Sequence, residues 1–488
     1  MALIVGMRFY TYSEPMERDI AAYAVYGHEM IRGGLLYTDL RDNKPPAIFV
    51  TYALAEKLTG YSPVEFFSLW VFAVILSLWG IYAAGRVFGE AGGLWAAVFW
   101  TVICADMKLE ANQPNTEVFM NACQVGAFAL AVSRTKESDR RYWLIGLLGA
   151  LSALYKQQDF IFVFLLALAG GGISFGDGRF RLRLKPMFQM IFPSFLAWAL
   201  VCLYFAVENR FEDFWNLVVV YNSYYSGNIV VNLLKGLIQG RLFKEEIRWI
   251  IWPLLLLAFS GIGWFDRGRR SRWILLAAYT LSVYVETASP GKWHQHYYQL
   301  GLPVLAIGAG WGAARWWKSA SFKARIFPIL ALAAVFVQEA AFYRIPPGEW
   351  SSRMYFGSLF ADSYRLGHDL DRVLLPGETF YEFGNEPALY FVSHRDPPTG
   401  VILAWHATEG PFAEENRKKL LSDIGQKPPE LIVVDRKIYP EAAGLFSGYR
   451  VWGPYPHAPR FLLLTKIGGE LERRIRQNPR ADWWNGPA

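Results

Sequence analysis

ERDIAAYAVYGHEMIRGGLLYTDLRDNKPP, residues 17–46, is too charged to lie in lipid and too regular in pattern for a slack connector. Ile20, Tyr23, Ala24, Gly27 and Ile31 recur at helical spacing, with Asp19, Tyr26, His28 and Glu29 elsewhere round the wheel. This predicts an amphipathic helix of modest strength. Gly33-Gly34 ends it, and Asp42-Asn43-Lys44-Pro45-Pro46 makes a rigid turn before the next apolar run. Acids, bases and aromatics thus sit between two apolar segments, as expected of a functional loop held at a membrane surface.

The rest of the chain supplies the membrane. Of 488 residues, 53% are hydrophobic and 17% aromatic, an aromatic excess that suits many membrane–water interfaces. Mean hydropathy is only +0.17, so large polar regions accompany the spans. Apolar runs at about 64–82, 91–107, 116–133, 142–155, 160–174, 188–207, 248–265, 273–287, 297–314 and 326–343 read as spans. Residues 1–12 give only about 18 Å of helix against a hydrocarbon core of roughly 30 Å, without a basic leader or a cleavage site. They read as a first span that has lost its beginning, bringing the expected total to eleven.

Charge sets the expected orientation. The runs 134–141, 179–185, 266–272 and 315–325 each carry four Lys or Arg, whereas the loops near Lys108, Lys156 and Lys292 carry one each. The positive-inside rule places the first set in the cytoplasm, with the N-terminus, and the second outside. The net charge of +7 therefore reflects topology, and a nucleic-acid partner is not expected. Cys104, Cys123 and Cys202 all lie in apolar runs and read as packing residues.

Residues 208–247 contain RFEDFWNLVVVYNSYY, read as an aromatic stretch along the membrane surface, with Tyr221, Tyr224 and Tyr225 as interfacial anchors. Residues 344–488 form a separate external α/β domain, with strands at 378–384, 430–435 and 460–466, a helix at 413–424 and a frayed tail. Residues 1–343 are then a transmembrane catalytic domain, with an active-site loop at 13–62 and the interfacial loop at 208–247.

All the polar clusters fall on the expected external side. They comprise Asp19, Glu29, Arg32, Asp42 and Lys44; then Lys108, Glu110, Asn112, Asn115 and Glu117; then Lys156 to Asp159; and finally Lys292, His294, His296, Tyr297 and Tyr298. Ionisable groups facing one cavity at span ends are functional candidates. Carboxylates among fixed positive charges suit transfer chemistry on a phosphate-bearing lipid: a carboxylate takes a hydroxyl proton, and Lys or Arg neutralises the departing phosphate. Bland roles compete. Asp19 suits a helix N-cap, Glu117 a first-turn acid, Lys44 a snorkelling lysine, Lys156 a span-end anchor, and the histidines satisfied polar groups.

The order ERD…Y…EMIRGGLLYTDLRDNKPP, then NTE at 115–117, LSALYKQQ at 151–158 and HYYQLGLPVLA at 296–306, resembles the bacterial GT-C glycosyltransferases. It is similar to the branch with the lipid A aminoarabinose transferases and protein O-mannosyltransferases. The resemblance covers the whole chain. It implies an inverting glycosyltransferase of the bacterial plasma membrane, acting on the periplasmic face with a polyprenyl-phosphate-linked sugar. The acceptor, whether lipid A, a glycan, a glycolipid or a protein hydroxyl, stays open. The resemblance makes Asp19 the general base, with Glu17 able to share the role, and Lys44 the ligand of the lipid phosphate. It makes Glu117 a second acid, which in some members binds a divalent metal. Tyr23, Arg32, Lys156, His296 and Tyr297 are further substrate-binding candidates. A flippase for lipid-linked sugars, a ligase or polymerase using diphosphate donors, and a non-catalytic scaffold are the rivals. Span middles nearly free of charge and the absence of a repeat count against the flippase.

Overall fold

Among the described residues, most of each apolar run named from the sequence falls on a helix. The computed structural model describes residues 1–133, 139–176, 179–238, 245–262, 270–319, 321–355, 357–478 and 483–484. Parts of the basic runs at 134–141, 266–272 and 315–325, of the 208–247 connection and of the tail lie outside these residues.

The chain begins with α1 (Ala2–Tyr10), α2 (Arg18–Ile31) and α3 (Ala47–Thr59). The bundle continues with α4 (Pro63–Gly85), α5 (Glu90–Ile103), α6 (Thr116–Val132), α7 (Asp139–Ala153) and α8 (Phe160–Ala167). A hairpin of β1 (Ile173–Gly176) and β2 (Arg179–Leu182) precedes α9 (Leu184–Val207). The basic run at 179–185, expected as loop, is therefore strand in its first half. The connection that follows holds α10 (Phe211–Trp215), a π-helical stretch Asn216–Tyr221, α11 (Asn222–Ser226) and α12 (Ile229–Ile238). The bundle closes with α13 (Glu245–Ile262), α14 (Arg270–Ala288), α15 (Gly301–Trp317) and α16 (Phe322–Phe342).

Three described helices, Pro63–Phe88, Leu184–Val207 and Phe322–Phe342, are long and apolar enough to cross a membrane. The other apolar helices are shorter, and small residues let them pack closely. A Cβ on Gly310 of α15 would lie 2.7 Å from the Ala96 nitrogen of α5, and one on Gly312 would strike the Leu257 carbonyl of α13. Backbones approach to this degree only where glycine faces the partner.

The bundle has two distinct ends. At one, Arg272 donates to the Val87 carbonyl at 2.8 Å and Lys318 to the Phe88 carbonyl at 3.2 Å. At the other, the loops at 17–46, 107–115, 156–159 and 288–296 converge, and α10 to α12 join them. The 211–226 stretch does not lie loosely on a surface. Phe214, Leu217 and Val218 are fully buried, with Phe214 stacked on Phe205 at 4.6 Å. In α12, Asn232 turns inward to the carbonyls of Ser226 and Ser289, while Ile229, Val230, Leu234 and Leu237 remain exposed.

Beyond the bundle lie α17 (Pro347–Met354), α18 (Leu359–Val373), β3 (Phe380–Phe383), α19 (Ala388–Ser393), α20 (Trp405–Thr408), α21 (Ala413–Gln426), β4 (Leu431–Asp435), β5 (Tyr449–Pro454), β6 (Phe461–Lys466) and α22 (Glu470–Gln477). The sheet order is β3-β4-β6-β5, with β3 and β4 parallel and the other pairs antiparallel. The unexpected strand, β5, is bulged between Val451 and Gly453 and half exposed, which hides its alternation. The start of the tail is no frayed end: α22 buries Leu471, whose N–H donates to Glu430 at 3.0 Å.

Candidate active site

The predicted helix at 19–30 forms as α2, and its N-cap is Glu17. The Glu17 carboxylate accepts from the backbone N–H of Asp19 at 3.0 Å and of Ile20 at 3.4 Å. Capping is thereby done two residues before the expected Asp19. The Asp19 carboxylate is left free to meet the Lys44 ammonium at 3.4 Å and the Tyr23 hydroxyl at 3.5 Å. Lys44 is presented by the DNKPP turn. Asp42 Oδ1 accepts from the Lys44 N–H at 2.8 Å, and the Tyr37 hydroxyl donates to the Lys44 carbonyl at 2.8 Å. Asn43 and Asn222 exchange hydrogen bonds of 3.0 and 2.6 Å, tying this turn to α11.

A second ion pair lies beside the first. Asn115, not Glu117, accepts from the first N–H of α6. Glu117, fully buried, pairs with Lys156 and accepts the Thr116 hydroxyl at 2.9 Å. Both Glu117 oxygens are thus engaged by neighbouring side chains. The Lys156 ammonium also sits 4.4 Å from the centre of the Tyr297 ring. His296 bonds Glu110 at 3.0 Å and stacks on His294.

Asp19, Lys44, Lys156, His296 and Tyr297 all line one cavity of about 770 Å³, with Glu17 at its edge and Tyr23 behind Asp19. Arg32 does not join them. It pairs with Asp396 at 2.8 Å at the far end of α2, where His28, Glu29 and Asp396 are close enough to share an ion. Tyr221, Tyr224 and Tyr225, read from sequence as anchors, line the cavity instead. So do Asn385, Trp405 and Tyr439, which sequence reasoning missed. Arg18 joins the two parts of the chain, donating at 2.6 Å to both the Asn385 carbonyl and the Glu386 carboxylate.

Electrostatics follow from this crowding. Burial alone would raise the Asp19 carboxyl, but Lys44, His296, His294 and Lys156 outweigh it and hold Asp19 below the ordinary carboxylate range. Burial, together with the Asp19 and Glu110 charges, pushes Glu17 up to about 8. Burial opposes charge on His296, yet Glu117 and Glu110 raise it to about 9, whereas burial and the neighbouring His296 lower His294 to about 4.

Comparison with protein-family models found no match, and comparison with curated proteins found none. Among solved structures, ArnT from Cupriavidus metallidurans bound to undecaprenyl phosphate superposes with a TM-score of 0.60 at 15% identity. The match covers 96% of this chain and 97% of that one. The apo state of the same protein gives 0.55 at 14% identity, covering 95% and 96%. The Archaeoglobus fulgidus oligosaccharyltransferase gives 0.53 at 12% identity, covering 90% of this chain and 69% of that one. The chain has the GT-C fold. Within the GT-C fold described here, the cavity is closed from the side opposite the bundle by residues beyond 344.

Two expectations concern stability. Glu117→Gln strands a buried ammonium, and a loss of about 3–5 kcal/mol is expected, read as a lower midpoint of thermal unfolding in detergent. Adding Lys156→Met should recover part of it. The second is pH dependence. The folded-state values of His296 and Glu17 are raised, so the stability they contribute is complete below their unfolded values and lost as pH rises. The melting midpoint should fall from about pH 4.5 to 8 through Glu17 and from about pH 6.5 to 9 through His296, and His296→Gln should flatten the upper part of that fall.

Proposed function

We propose that this chain is a membrane glycosyltransferase that moves a sugar from a polyprenyl-phosphate carrier to an acceptor hydroxyl, with inversion. The observation that carries the reading is the Asp19–Lys44 pair at 3.4 Å, with Lys156 and His296 in the same cavity. One carboxylate acting as base beside fixed cations suits a phosphate leaving group, which needs no protonation by a second acid. The fold shared with a protein bound to undecaprenyl phosphate supports the carrier.

In the proposed step Asp19 accepts the proton of the acceptor O–H as its oxygen bonds the anomeric carbon. The carbon–oxygen bond to phosphate breaks, and its electron pair stays on the phosphate, where Lys44 and Lys156 balance the added charge. The Asp19–Lys44 pair is the resting state. A donor phosphate competes for Lys44, and drawing that ammonium away makes Asp19 a better base. His296, held charged by Glu110 and Glu117, adds positive potential, and Tyr297 and Tyr23 fix the positions of Lys156 and Asp19.

Residues 1–343 form the transmembrane catalytic domain in this reading and 344–488 an external domain, with the cavity on the periplasmic face of a bacterial plasma membrane. The test is release of free polyprenyl phosphate from a panel of polyprenyl-phosphate sugars in nanodiscs, with membrane extract supplying acceptors. Release from one donor supports the reading. Carriers that bind but stay intact would point to lipid translocation instead.

A further inference from the structure

The cavity is electrostatically two-sided. Its lysines and arginines, Arg18, Lys44, Lys156 and Lys292, all come from the start of α2 and the loops at the end of the bundle. The wall contributed by described residues beyond 344 holds Asn385, Trp405, Glu409 and Tyr439, and no lysine or arginine. Composition does not force this. Arg372, Arg395 and Arg460 lie in the same part of the chain but pair with Asp369, Asp371 and Asp435.

The wall is also built. The Asn385 side-chain amide donates to the Tyr439 hydroxyl at 3.1 Å and accepts from the Trp405 backbone N–H at 3.2 Å. The Asn385 backbone carbonyl accepts from Arg18, whose guanidinium lies 5.9 Å from the centre of the Trp405 ring. Arg18 precedes Asp19 in the chain, so this platform and the Asp19 carboxylate are joined by one peptide bond. The cavity, about 770 Å³, lies in the upper part of the range of small-molecule sites.

We propose that this wall is the acceptor subsite and that the acceptor is a neutral carbohydrate. The inference rests on the donor reading above. The electron-rich face of an indole attracts the polarised C–H edge of a pyranose, and the neighbouring amide, phenol and carboxylate suit adjacent hydroxyls. Glu409 disfavours a phosphorylated acceptor on this side, and Arg18, the cation nearest the platform, is already paired with the Glu386 carboxylate. An extended peptide is disfavoured because β3, the edge strand leading into Asn385, is wholly buried and offers no edge for pairing.

The test measures polyprenyl-phosphate release in nanodiscs from the panel of donors, with three kinds of added acceptor: neutral oligosaccharides (maltotriose, cellotriose, mannotriose), a Ser/Thr peptide, or a phosphorylated glycolipid. Acceleration by an oligosaccharide is expected, with the acceptor KM raised about tenfold in Trp405→Ala and the donor KM moved less than about twofold. Arg32→Ala, outside the cavity, serves as the control. Glu409→Lys changes an exposed side chain and keeps the question open if Trp405→Ala misfolds; it should lower the KM for the phosphorylated glycolipid about fivefold. Acceleration by the peptide or the phosphorylated glycolipid alone, or an unchanged acceptor KM in Trp405→Ala, overturns the acceptor class and leaves the donor reading standing. No release from any donor, with or without acceptor, overturns the donor reading and this inference together.

Discussion

Asp19→Asn is expected to lower kcat by about a thousandfold, the scale of losing a positioned general base. The amide has the shape of the carboxylate, so α2 and its Glu17 cap should persist. What disappears is the site that receives the acceptor proton and the charge opposite Lys44. Single-turnover release of polyprenyl phosphate is the measurement, with the melting midpoint as a check on folding. A folded variant within about tenfold of wild type would remove Asp19 from the base role.

Lys44→Met is expected to cost about a hundredfold or more in kcat/KM, because the ammonium acts on charge that grows as the phosphate departs. The methionine stem fills the same space, so lost packing is a small part of the effect. Lys44 approaches phosphate as a point charge on a flexible stem, and its ammonium already lies 5.7 Å from the Tyr23 ring centre. A planar guanidinium fits that slot poorly, and Lys44→Arg should recover only a minor share. Product inhibition by added polyprenyl phosphate separates the possibilities. Unchanged inhibition in Lys44→Met would place the phosphate elsewhere, on Lys156 or Lys292.

Much of this site was legible in residues taken singly, and little of it in their pairing. Hydropathy located the helices because burial in lipid or in a bundle demands long apolar runs. Asp19, Lys44, Glu117 and Lys156 stood out as charges at the ends of such runs. Nothing local says that Glu117 pairs with Lys156, or that Glu17 rather than Asp19 caps α2. Those are settled by geometry between distant turns. Arg32 was misplaced for a reason that was readable: thirteen residues of helix separate it from Asp19, roughly 20 Å, so one small cavity cannot hold both. Trp405 and Tyr439 were invisible because no motif surrounds them, and their place comes from contacts such as Arg18–Glu386, made across hundreds of residues. β5 was hidden by its bulge, and α22 by a strongly polar sequence whose buried anchor is the single residue Leu471.

The outward apolar side of α12 has a consequence for kinetics. A helix with such a face settles at the boundary of the acyl chains. Beside it, α11 brings Tyr224 and Tyr225 to the cavity rim. Under the proposed function, a carrier would then deliver its head group while its long tail never leaves the bilayer. The encounter becomes a two-dimensional search, governed by the mole fraction of carrier in the membrane and not by its bulk concentration. If the proposed function holds, diluting the carrier with inert phospholipid, at a fixed amount per volume, should therefore slow release of polyprenyl phosphate as though substrate had been withdrawn.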